Sequence, residues 1–144
     1  MNRLKLLTFA LLAAAIAACD GSSPTGGGDA SLTASWAAKN TGNALWGDSI
    51  RLSITQADTV LTGTYTAVGT SGRGGSYTDV ASGTVKGSAV KLGLTYDPRS
   101  HGCTGSESAC FKLYLSFTGT TQGTRIDGTF SDGLNQWPAS FHRG

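Results

Sequence analysis

The chain is poor in the residues that do chemistry. Its 144 residues include one glutamate, Glu107, two histidines, His101 and His142, and three cysteines. A lone glutamate leaves no glutamate pair for general acid and base work, and the aspartates fall mostly at expected turns. His101 has Ser106, Glu107 and Ser108 nearby in sequence, the ingredients of a triad, but the stretch reads as a surface loop beside a disulfide. The glycine-rich residues 69–76, around Arg73, lack the Gly-Lys-Ser/Thr ending and the following helix of a phosphate loop. These absences predict a protein that is not an enzyme and needs no cofactor. Charge is sparse as well. Of eleven Lys and Arg, set against nine Asp and Glu, Arg3 and Lys5 lie at the very start. The rest is balanced and has no basic cluster, which argues against a nucleic-acid partner. No long stretch has helical periodicity, and no apolar run reaches the roughly 20 residues of a membrane-spanning helix.

What is present begins with an address. After Arg3 and Lys5, residues 6–18 form an almost unbroken apolar run, the right length for the core of a signal peptide. The run ends in Ile16-Ala17-Ala18-Cys19, which resembles the lipobox of bacterial lipoproteins. The resemblance implies cleavage before Cys19, a lipidated Cys19 as the first mature residue, and several acyl chains for stable anchoring. An ordinary secretory signal with an incidental cysteine is the competing reading. Asp20 resembles an inner-membrane retention signal, a rule that holds loosely outside enterobacteria, so either membrane remains open. Residues 19–29 then read as a flexible Gly/Ser linker, leaving residues 30–144 as one domain of about 115 residues. The expected location is the bacterial cell envelope, with the domain on the periplasmic or extracellular side.

Within the domain one unit recurs. Leu61-Thr62-Gly63-Thr64-Tyr65, Ala81-Ser82-Gly83-Thr84-Val85 and Ile126-Asp127-Gly128-Thr129-Phe130 share an apolar-x-Gly-Thr-apolar form, and Phe117-Thr118-Gly119-Thr120 is a shorter copy. In a strand the glycine and its apolar neighbours share one face and the hydroxyls the other. A glycine there marks a bend or a close approach. Alternation predicts strands at 32–36, 49–56, 60–68, 77–86, 89–96, 111–119 and 124–130, with a last one carrying Trp137, Ala139 and Phe141. Phe111, Leu113, Leu115 and Phe117 are expected on one face, and Pro138 at an irregular or unpaired position. Eight short-linked strands predict an all-β fold, a small antiparallel up-and-down barrel, with a two-sheet sandwich as the alternative. About twenty large inward side chains favour a filled interior over a roomy one.

Cys103 and Cys110 are close in sequence, and outside the cytoplasm such a pair is most simply a disulfide. A metal site built from His101 and both cysteines is the alternative, but no fourth ligand stands at suitable spacing.

Several of these stretches resemble the avidin family and, more broadly, the lipocalin-like calycin barrels. Leu32-Thr33-Ala34-Ser35-Trp36 is similar to the family's opening Leu-Thr-Gly-x-Trp, Leu61 through Val68 to its third strand, and Phe117-Thr118-Gly119-Thr120 to its sixth. The resemblance implies an eight-stranded barrel closed by Arg143 lying over Trp36. It does not carry biotin binding. Ala38 and Gly42 stand where the family has an Asn and a Ser, and the seventh strand has no tryptophan, although Tyr65 matches the tyrosine on the ureido oxygen.

The expected function is a non-catalytic, membrane-anchored binding module for a small apolar or mixed ligand. Its candidate contacts are Tyr65, Arg73 and Tyr96 at the mouth and Trp46 at the rim. The alternative is a barrel that binds an envelope protein through its loops, in the manner of a hydrolase inhibitor, with the stapled loop as the contact. Outer faces rich in Thr, Ser, Lys and Arg predict a monomer, and the missing fourth ligand beside His101, Cys103 and Cys110 predicts no metal.

Overall fold

The computed structural model describes residues 31–39, 48–69, 75–106 and 109–144. The expected signal and linker, lipidated Cys19, the rim residue Trp46, Arg73, Gly42 and Glu107 lie outside these residues.

Eight strands run in order: β1 (Ala34–Lys39), β2 (Ser49–Ala57), β3 (Val60–Gly69), β4 (Gly75–Lys86), β5 (Ala89–Tyr96), β6 (Leu113–Gln122), β7 (Arg125–Ser131) and β8 (Gln136–Arg143). Each pairs antiparallel with the next, and β8 returns to β1 through Trp36↔Arg143 and Ala37↔His142. The sheet therefore closes into an up-and-down barrel, and the sandwich alternative falls. Arg143 fastens the seam. Its guanidinium lies 5.2 Å from the centroid of the Trp36 ring and donates to the carbonyls of Ser31 and Thr33 at 2.5 and 3.3 Å.

The recurring glycines explain how so small a barrel curves. Gly63 faces inward opposite Ile54, where a Cβ would meet the Ser53 carbonyl oxygen at 1.9 Å. Gly128 does the same on β7, where a Cβ would lie 2.2 Å from the Thr118 carbonyl and 2.6 Å from the Phe117 ring. Only glycine lets neighbouring backbones and a core ring approach this closely.

Between the glycines, the inward positions form one core. Trp36, Leu52, Leu61, Tyr65, Leu94, Leu115, Phe117, Ile126, Phe130 and Phe141 are fully buried. Phe117, Phe130 and Phe141 pack as a triangle with centroids 5.0 to 5.7 Å apart. Each such side chain contributes about 1.5–3 kcal/mol by leaving water.

The two ends differ. At one end β2–β3, β4–β5 and β6–β7 are joined by two-residue turns, with Asp58, Gly87 and Gly123 at positive φ. The other end carries the longer connections, including residues 97–112, which hold the disulfide Cys103–Cys110.

Three details depart from expectation. β1 begins at Ala34 rather than Leu32, although Leu32 is still buried, its N–H held by the Gln56 side chain at 2.8 Å. Phe111 is 54% exposed, because β6 begins only at Leu113 and the alternation that places Leu115 and Phe117 inside stops short of it. Pro138 sits within β8, opposite Thr129 on β7 and facing solvent. The paired residues of the β1 seam stop short of it.

Candidate functional site

The inward positions change character near the end with the long connections. On β4, Tyr77 and Asp79 share the inward parity of Ala81, Gly83 and Val85. Tyr65 of β3 and Tyr96 of β5 face the same space. The rings meet edge to face, with Tyr65–Tyr77 centroids 6.0 Å apart and Tyr77–Tyr96 centroids 4.7 Å apart. Two of the four candidate contacts, Tyr65 and Tyr96, are thus brought together through Tyr77. The other two, Arg73 and Trp46, lie outside the described residues.

A histidine completes the group. A single 3-10 turn, Pro98–His101, follows β5. It is capped by Asp97, whose Oδ1 accepts from the Arg99 N–H at 3.0 Å, and it ends at Gly102, where φ is 85°. The Cys103 N–H bonds the Pro98 carbonyl at 3.0 Å, and Lys112 pairs with Asp97 Oδ2 at 2.9 Å. The Lys112 ammonium and the Arg99 N–H hold the Asp97 carboxyl below the usual range. So anchored, His101 lies parallel to the Tyr96 ring, with centroids 5.4 Å apart and planes 6° apart, and edge-on to Tyr77 at 5.8 Å. Its Nε2 is 2.8 Å from Asp79 Oδ2, so Nε2 carries the proton and donates to the carboxylate. His101 is therefore not a plain surface-loop residue, and Asp79 is not a turn residue.

Ser100, His101 and Asp79 do not make a triad, and Glu107 and Ser108 of the one considered above lie outside the described residues. Ser100 Oγ donates to the Asp97 carbonyl at 2.7 Å and reaches Asp79 Oδ1 at 3.4 Å. Serine and histidine both converge on the aspartate, so no base is aimed at the hydroxyl. Among the described residues no group of three metal-ligating side chains occurs, and both cysteines are in the disulfide.

Asp79 is buried to 11% side-chain exposure, and it accepts from His101 and from the Asp97 N–H at 3.2 Å. The Tyr65 hydroxyl lies wholly inside. Burial, then the neighbouring Tyr77 and Asp79, push its pKa well above the ordinary phenol value, so it stays protonated. The Tyr77 side chain also acts on this hydroxyl as a hydrogen-bonding neighbour and adds to the shift, although no partner within strict hydrogen-bond geometry stands beside the hydroxyl among the described residues. The same holds for the Trp137 indole Nε1, second residue of β8 at the same end. Uncompensated buried polar atoms cost about 1–3 kcal/mol each, which makes both notable.

Two grooves lie instead on the outer wall. One, of about 610 Å³, follows the seam between Ala37, Arg51, Pro138 and His142, and the other, of about 380 Å³, lies over Ser35, Arg51 and Thr66.

Asp79 and Tyr77 were legible by parity, since both fall on the inward register of β4 set by Ala81 and Val85. No sequence signal brings His101 to them, because that contact crosses |i−j| of 22 residues through an irregular loop. No protein-family model, curated protein or solved structure matches the chain.

Proposed function

We propose that the protein is a non-catalytic lipoprotein of the bacterial cell envelope, lipidated at Cys19, that holds a small ligand in the open mouth of its barrel. The observation that carries the reading is the lining of this end: Tyr65, Tyr77, Asp79 and Tyr96 on inward strand positions with His101 of the adjoining turn laid against them, and the Tyr65 hydroxyl and Trp137 indole buried without a partner of strict geometry among the described residues. A packed core that needed only stability fills such positions with apolar side chains. Polar atoms kept there without partners are suited to a guest that supplies them. The anchor rests on Arg3, Lys5, the apolar run and Ile16 through Cys19.

A second reading, contact with an envelope protein, is favoured by the rim. Phe111, Tyr114 and Leu134 are 54, 66 and 93% exposed around the disulfide-stiffened loop. Native mass spectrometry of residues 29–144, purified from the producing organism's envelope, separates the two readings. A retained small-molecule adduct is expected. A bare mass, with a protein recovered by crosslinking at Phe111 or Leu134, overturns the first reading in favour of the second.

A further inference from the structure

Resting on the small-ligand reading above, we infer that the mouth recognises an organic cation, an alkylated or quaternary ammonium group, whose place His101 occupies in the ligand-free chain. The argument starts from what His101 touches. It lies flat on the Tyr96 ring, meets the Tyr77 ring at 69° and donates to the Asp79 carboxylate. Aromatic faces joined to a carboxylate are the surroundings an organic cation seeks, because ring quadrupoles and the negative charge attract it without demanding directional donors.

The supports differ in how they are held. Tyr65, Tyr77, Asp79 and Tyr96 stand on β3, β4 and β5, locked by continuous ladders. His101 stands on a single 3-10 turn outside the sheet. It can leave without breaking a strand pair, and its departure uncovers the Tyr96 face and Asp79 Oδ2 together.

Charge argues in the same direction. Lys39, Arg51, Lys86, Lys91, Arg99, Lys112 and Arg125 are all exposed, and Arg143 is spent at the opposite end on Trp36. Within this end the buried charge is that of Asp79, while Arg99 and Lys112 stand exposed on the adjoining loop, Lys112 paired with Asp97, and Arg73 lies outside the described residues.

The test is calorimetric titration of residues 29–144 with choline and with 3,3-dimethyl-1-butanol, its neutral isostere, on the wild type and on Asp79→Asn and His101→Ala. Choline is expected to bind, and the isostere at least about tenfold more weakly. Asp79→Asn should weaken choline by a similar factor. His101→Ala, which empties the place, should tighten it several-fold, and circular dichroism confirms that each variant is folded. Equal binding of the isostere overturns the cation assignment and leaves the small-ligand mouth standing. Absence of choline binding even to His101→Ala also overturns it, and the adduct measurement then judges the broader reading separately.

Discussion

At the turn-closed end of the barrel, two-residue hairpins join the strands, and Arg143 clasps Trp36 and the entering chain. There the Trp36 indole donates to the Leu32 carbonyl at 3.0 Å. At the loop-bearing end, another indole, on Trp137, donates to nothing, a phenol is buried unbonded, and an aspartate faces inward under a histidine. The same alternation of side chains builds both ends. The difference is one of degree in what the polar groups inside meet: at the first end the Trp36 indole is paired and the Thr121 hydroxyl is not, and at the second an indole and a phenol are both left to be completed. On the proposed reading, recognition belongs to the second end.

Substitutions sharpen that division. The largest loss is expected at the curved wall. In Gly63→Val the new side chain collides with backbone at Ser53, and stability should fall by about 3 kcal/mol or more in urea unfolding. Replacing Cys103 and Cys110 together by serine should cost about 2–3 kcal/mol by the loop-entropy argument, and it should loosen the His101 turn that the loop supports. Arg143→Ala removes the contact over Trp36 and two carbonyl bonds, for an expected loss of about 1–2 kcal/mol in thermal unfolding with the mouth unchanged.

Tyr65→Phe should break the pattern in the opposite sense. Deleting a buried hydroxyl without a partner is expected to leave stability unchanged or raise it by up to about 1 kcal/mol, while ligand retention falls. A clear loss of stability would show that the hydroxyl is satisfied within the fold.

The smallest effect concerns pH. Hydrogen bonds from Ser140 and then Arg125 hold the Asp127 carboxyl below its ordinary value, as Lys112 and then the Arg99 N–H do for Asp97. Their contribution is fully present above the unfolded carboxylate pKa and is lost as pH falls through the lowered folded values. Both groups are partly open to solvent, which screens them, so the stability change across that acidic window should be slight, and NMR titration should find both carboxyls below the usual range.

Much of the barrel was legible in the sequence, because a period of two with glycine at fixed places leaves few alternatives. β5 matches its expected span residue for residue, and the Gly63, Gly83 and Gly128 units all face inward as the alternation requires. The ends of strands beside the long loop were less legible. There β6 starts at Leu113, so strand periodicity does not reach Phe111. The site was half legible: Tyr65 and Tyr96 follow from strand parity, but the meeting of His101 with Asp79 depends on a capped turn and a disulfide, which no periodicity encodes.

The division between the two ends is tested most directly by their indoles. In a 1H–15N spectrum of residues 29–144, each tryptophan side-chain N–H gives its own signal, assignable by substitution of Trp36 and Trp137. On adding the small-molecule fraction of the producing organism's envelope, the account predicts that the Trp137 indole shifts while the Trp36 indole, bonded to Leu32, stays in place. An unmoved Trp137 signal, or equal movement of both, would contradict a ligand site confined to the open mouth.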